Sequence, residues 1–273
     1  MAKNPDLLPH FITFLPGIAN PLTRQTVLQH YSKVLQKSFP QDHAVLLEYL
    51  DTNPEETFSK ETLTIISQLP SINPQLKQLL IEKAKSNVQL ITYVAAHLNM
   101  QEVEEVIPTL VSQPETSLST YMSSLLEAPE VDPSEVLAKI LSLDLATPQV
   151  IKALKVALDL RHVYYQETLQ AATEKIVRLE PIPETCMYFI LKANELYPQL
   201  KSFFISYALP YLLERKVWEY PRIWKGFVTF IERTTPDSIQ VLDLMPHDVQ
   251  QKLLQRETIR KGKLEETMRK QKS

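Results

Sequence analysis

The chain is predicted to be all-α, an α-solenoid of stacked antiparallel helical pairs of the HEAT-like kind. Three observations predict it. A polar residue followed by proline recurs as a helix start, and such a step suits the first turn because proline lacks the amide proton that would go unused there. Glycine is scarce, 3 residues against 20 prolines in 273, so hairpin turns and glycine-rich phosphate loops are not recurring devices. No segment alternates apolar and polar residues over a strand's length between turn signals.

The elements follow in order. Asn20-Pro21 opens a helix over 21–37, and a second covers 42–51. Asn53-Pro54-Glu55-Glu56 opens 56–69, with Glu56 three residues after the Asn as in a capping box. Asn73-Pro74 opens 74–86, and helices 87–98, 101–113 and 116–127 follow. Asp132-Pro133-Ser134-Glu135 repeats the box at 133–143, and Thr147-Pro148 opens 148–159. Helices 164–179, 183–196 and 198–214 come next, the last carrying Pro210, which should kink or split it. Tyr220-Pro221 opens 221–234, Thr235-Pro236 opens 236–243, and 247–258 closes the series. Fifteen helices of 8–17 residues exceed one bundle core, so they are expected to stack as about seven pairs. Asn73-Pro74-Gln75-Leu76-Lys77 returns as Tyr197-Pro198-Gln199-Leu200-Lys201, 124 residues later, near three units of a HEAT-type period of roughly 40–47. Residues 1–20 read as an N-terminal extension, 21–256 as the solenoid, and 257–273 as a basic tail, either a polar helical extension or disordered.

Composition narrows the function classes. Net charge is −3, but residues 256–273 hold seven Lys/Arg against three Glu, leaving −7 for 1–255. Cys186 is the only cysteine, and no Asn-x-Ser/Thr sequon occurs; both favour a reducing compartment. Leu7–Ala19 is apolar but interrupted by Pro9, His10 and Pro16, so a signal peptide is not expected, and no apolar run is long enough to span a bilayer. The six histidines are scattered without metal-ligand spacing, and the adjacent carboxylates Glu55/Glu56, Glu104/Glu105 and Glu265/Glu266 diverge on a helix. Cys186 sits beside Met187, Tyr188 and Phe189, as a buried small hydrophobe would. No catalytic, metal or cofactor site can be assembled, and none is expected.

Aromatics are the most uneven feature: 12 of 22 lie between Tyr188 and Phe230. Both tryptophans, Trp218 and Trp224, flank the Tyr220-Pro221 step. Proline pushes the residue before it into extended geometry, so Trp218 and Tyr220 should lie in a connection between helices. On the following helix Trp224, Phe227, Val228 and Ile231 share one face, and Trp224, Phe227 and Ile231 are expected to be structural core. Gly226 would let a neighbouring backbone come close. Lys216, Trp218, Tyr220, Arg222 and Lys225 form the candidate partner-binding set, because Trp, Tyr and Arg typify interface hot spots. Elbow packing is the plainer account of the same aromatics, and base stacking by nucleic acid a third.

Two runs carry a family resemblance. Lys216-Val217-Trp218-Glu219-Tyr220-Pro221-Arg222-Ile223-Trp224-Lys225-Gly226-Phe227 and Arg233-Thr234-Thr235-Pro236-Asp237-Ser238-Ile239-Gln240-Val241-Leu242 resemble the C-terminal domain of the symplekin family. Tyr197-Pro198-Gln199-Leu200 agrees, and Ile107-Pro108-Thr109-Leu110 and Ile140-Leu141-Ser142-Leu143-Asp144 agree more loosely. The resemblance is strongest over 195–245. It implies a non-catalytic nuclear scaffold of pre-mRNA 3′-end cleavage and polyadenylation. Its implied partners are the metallo-β-lactamase-type endonuclease and its catalytically inactive paralogue, bound through their C-terminal domains. The family's separate N-terminal HEAT domain has no counterpart in this reading. The alternatives are an RNA-contacting helical-repeat protein, with a weak contact through the basic tail, and an unrelated HEAT-type adaptor.

Overall fold

The computed structural model describes residues 14–35, 46, 48–50, 52 and 57–272. The expected helix 42–51 and the expected caps Asn53–Glu56 lie largely or wholly outside these. The described residues form helices and turns and contain no strand. The chain divides into two compact units, Met1–Asp132 and Pro133–Ser273.

In the first unit α1 is Pro21–Leu35, α2 Thr57–Gln68, α3 Pro74–Ala84, α4 Ile91–Val94, α5 Met100–Val111 and α6 Glu115–Leu126. Asn20 Oδ1 accepts from the amides of Leu22 (3.0 Å) and Thr23 (3.1 Å), and Asn73 Oδ1 from Gln75 (2.9 Å). These side chains occupy N–H groups that have no partner in the first turn. α4 packs on both α2 and α6, while α3 packs on α5, which is two-layer stacking of alternate helices. The expected single helix 87–98 is instead the short α4 between two 3-10 turns, Val88–Leu90 and Ala95–His97. Its Ile-Thr-Tyr-Val centre consists of residues that lose side-chain freedom in a helix.

The second unit contains α7 Pro133–Ser142, α8 Thr147–Asp159, α9 Gln166–Ile176, α10 Cys186–Leu196, α11 over 201–214, α12 Pro221–Thr234, a 3-10 turn Ile239–Leu244, α13 His247–Leu254 and α14 Glu257–Lys272. α9 packs on α7, and α12 on α10. Gly226 makes the second contact possible: a Cβ there would lie 2.5 Å from Met187 Cβ. Several polar contacts within this unit span 36–40 residues. Lys175 binds Glu135 40 residues back, Arg215 the Val177 carbonyl 38 back, Arg233 Glu195 38 back, and Lys201 Asp237 36 ahead. That spacing is the helical-pair period seen directly.

Pro210 is accommodated without a break. Phe204–Ala208 form a π turn in which the Leu209 amide reaches back to the Phe204 carbonyl. An α-helix carries every fourth residue about 40° further around, and the wider π turn takes that drift back. Phe203, Tyr207 and Tyr211 therefore stack in a row, at 5.2 and 6.3 Å between ring centres.

One expectation changes, and one left open is decided. The helix expected at 236–243 is a turn followed by the 3-10 segment. Thr235 Oγ1 (2.8 Å) and Ser238 Oγ (3.1 Å) both donate to the Ile231 carbonyl, so hydroxyls satisfy the end of α12 where a new helix would have begun. Most of the tail is helical and docked. Ile259 is fully buried, a Cβ on Gly262 would lie 2.2 Å from Thr235 Cγ2, and Lys263 Nζ binds Asp243 at 2.7 Å.

Candidate functional site: the 215–225 elbow and its neighbouring loop

The elbow begins where α11 ends. Lys216 has φ 53° and ψ 47°, the left-handed geometry that reverses the chain, and its amide donates to the Leu213 carbonyl at 2.9 Å. Val217–Glu219 make one 3-10 turn around the buried Val217. Tyr220 is extended, as the residue before a proline must be, and its carbonyl accepts from the Trp224 amide at 2.8 Å to start α12.

Two arginines fasten this elbow to the loop 177–185. Arg215 Nη1 donates to the carbonyls of Val177 (2.6 Å) and Leu179 (2.8 Å), and its guanidinium lies 3.7 Å from Glu180. Arg222 donates to the Glu184 carboxylate. Arg222 is thus a partnered cation rather than a free one, while Lys216 and Lys225 are exposed with no ion-pair partner among the described residues. Trp218 is half-buried and Tyr220 is 44% exposed. The elbow therefore presents one accessible phenol, part of an indole and two unpaired ammonium groups.

Behind it, Phe227 and Ile231 are fully buried. Trp224 is half-buried, so it lies at the rim of the core rather than inside it; its ring stacks on Phe227 at 5.2 Å and 20°. Phe189, Phe204 and Phe230 are also buried, with Phe230 edge-on to Phe204 at 6.0 Å.

Next to the elbow, the loop 177–185 and the loop joining α7 to α8 enclose a cleft of about 580 Å³. The Ile140–Asp144 run supplies part of one wall, but no motif joins it to the other wall, which is distant in the chain. The signal that relates them is the repeat period, which places the loops around Asp144, Ile182 and Trp218 one unit apart.

Cys186 is fully buried at the start of α10, and burial pushes its thiol up to about 12, far from the range of a reactive thiolate. Among the described residues no group of His, Cys, Asp and Glu is placed to hold a metal ion, and no helix is long and apolar enough to cross a membrane. What the elbow and loop offer chemically is contact surface.

Helices packed in pairs, with several polar links spanning 36–40 residues, define a helical-repeat protein of the solenoid class. The family described as "Symplekin tight junction protein C terminal" matches residues 87–257, and the chain belongs to this symplekin C-terminal family. No solved structure matches the chain. The family is one of generally non-catalytic scaffolds in mRNA 3′-end processing. The matched region takes in the whole elbow and ends where α14 begins.

Proposed function

We propose that this chain is a nuclear scaffold subunit of the pre-mRNA 3′-end cleavage and polyadenylation machinery. It holds the metallo-β-lactamase-type endonuclease and its inactive paralogue through their C-terminal domains and performs no chemistry itself. The elbow is one anchor of that interface. The observation that carries this reading is the exposed Tyr220 beside the unpaired Lys216 and Lys225, on a segment immobilised by Arg215. A surface held rigid before binding loses little conformational entropy on association.

The two lysines guide encounter with acidic surface on the partner, so they act on association rate more than on affinity. Lys216→Glu with Lys225→Glu is the appropriate test, because neither carries an internal ion pair. The expected result is slower association and reduced recovery of the nuclease pair by a normally folded double variant. Undiminished recovery would move the interface off the elbow.

The RNA reading is weakened by the tail. Arg256 binds Glu232 (2.8 Å), Lys261 binds Glu257 (2.6 Å) and Lys263 binds both Asp243 and Glu266, so three of its seven basic residues already have acidic partners. Little affinity for RNA alone is expected, and a steep salt dependence of RNA binding would reverse that conclusion.

A further inference from the structure

The last helix is held differently from the rest of the second unit. α12 buries six of its fourteen residues, whereas α14 spans sixteen and has Ile259 as its only buried large apolar side chain among the described residues. The other two, Leu264 and Met268, stand 56% and 59% exposed on the opposite face. α14 packs on α13, on the 3-10 segment Ile239–Leu244 and on α12. Two ion pairs flank the contact, Arg256 with Glu232 at 2.8 Å and Lys263 with Asp243 at 2.7 Å. All four side chains reach solvent, so these pairs add little.

Gly262 fixes how α14 lies in its groove. A Cβ there would be 2.2 Å from Thr235 Cγ2 and 3.0 Å from Ile239 Cγ1. Thr235 cannot turn its methyl aside without losing the bond its Oγ1 donates to the Ile231 carbonyl at 2.8 Å, and Ile239 is fully buried. The groove therefore takes a helix only where that helix has no side chain. Its other requirements are an apolar residue three positions earlier, as at Ile259, and a cation one position later to meet Asp243.

We propose that α14 is a reversible strap over a helix-binding groove. It leaves and re-enters the groove while the remainder of the second unit stays folded, pivoting on the non-helical Gln255-Arg256 step. A segment with few buried apolar contacts is the first to open. Leaving uncovers only one large apolar side chain of α14, because the other two are already in solvent. The open groove admits a helix of the pattern apolar-x-x-Gly-Lys and excludes one with alanine at the glycine position. Its occupant is the chain's own Glu257–Lys272, so the strap sets access to the groove. None of this depends on which proteins the scaffold holds.

Amide exchange on the full chain reads the motion. The amides from Ile259 to Glu266 should share one opening equilibrium, at least about tenfold more open than α12. Exchange that rises residue by residue towards the C-terminus would be end fraying, and exchange no faster than α12 would be global unfolding; either would overturn the strap. Gly262→Ala separates docking from helix propensity, since alanine alone would slow exchange. It should instead speed exchange in α14 by about tenfold or more and leave α10 and α12 unchanged. Slower exchange in α14, or faster exchange in α12 as well, would overturn the proposal.

A fluorescein-labelled peptide of residues 257–272 then probes the groove in the full-length Gly262→Ala chain, whose own strap is released. A short hinge gives an effective concentration of about 1 mM, so a strap that favours docking about tenfold should bind in trans with a Kd near about 0.1 mM. The wild-type chain, its groove filled, should bind the peptide about tenfold more weakly. A peptide carrying the Gly262→Ala change should not bind the released chain. Equal binding to both chains, or no loss with the altered peptide, would place the peptide elsewhere and overturn the groove. So would the absence of binding to the released chain up to about 1 mM.

Discussion

Gly226→Ala tests how closely α10 and α12 approach. The added methyl would sit 2.5 Å from Met187 Cβ, a separation that non-bonded carbons do not adopt, and Met187 is 1% exposed. The clashing atom is a Cβ fixed to the backbone, so no rotamer change removes it and the helices must part. Overpacking of this kind costs about 1–3 kcal/mol. Alanine gains about 1 kcal/mol over glycine in helix propensity, which leaves a net loss of up to about 2 kcal/mol. For a unit of this size the melting temperature should fall by up to about 8 °C. Both tryptophans lie in the second unit, so their fluorescence reports its unfolding. A double-mutant cycle isolates the cause. Met187→Ala keeps the clashing Cβ and should not rescue Gly226→Ala, whereas Met187→Gly removes it and should show favourable coupling of about 1–3 kcal/mol. A Gly226→Ala protein that melts above the wild type would refute the close approach.

Three further outcomes are expected. Phe227→Ala should cost about 3–5 kcal/mol as a fully buried aromatic, and the half-buried Trp224→Ala clearly less, both measured by urea unfolding. Lys216→Gly should match or exceed wild-type stability by up to about 1 kcal/mol because the left-handed backbone penalises a Cβ, while Lys216→Val should melt lower; a reversed order would show that the elbow is not left-handed at 216. Cys186 should resist disulfide-exchange reagents until the chain is denatured. Its native thiol keeps its proton up to about pH 12, whereas the denatured thiol ionises near 9. The folded-state value is the raised one, so this contribution to stability is complete below pH 9 and is lost as pH rises towards 12, and Cys186→Ala should flatten that loss.

Much of the fold was legible because its signals are local. Asn20 and Asn73 cap the helices their prolines open, Gly226 marks a close contact, and Pro210 lies at an irregular turn. A capping box also occurs at Asn99 and Glu102, with no proline to advertise it. At Glu135 the carboxylate receives Lys175 from 40 residues away, a contact no local pattern signals. The sequence leaves the tail open between helix and disorder because its docking depends on Ile259 and Gly262 rather than a stripe, and an isolated glycine reads as a helix breaker. The site was half visible. The elbow's aromatics and proline announced a connection between helices, but whether Arg222 is free depends on Glu184, and the cleft exists only once loops a full repeat apart become neighbours. Sequence periodicity of a few residues carries no information about such pairings.

The recurring links of the second unit bear on how it responds to load. Each joins a helical pair to the adjacent one and to nothing farther, so the unit is fastened in overlaps, as roof slates are. Tension applied through a bound partner at the elbow would pass first into the 177–184 loop through Arg215 and Arg222, then into the pair before it, weakening at each step. Amide exchange would show this as a gradient, with the two ends opening first and the middle pairs holding longest. A tether built this way gives locally under strain and re-forms from its intact neighbours, which suits a scaffold.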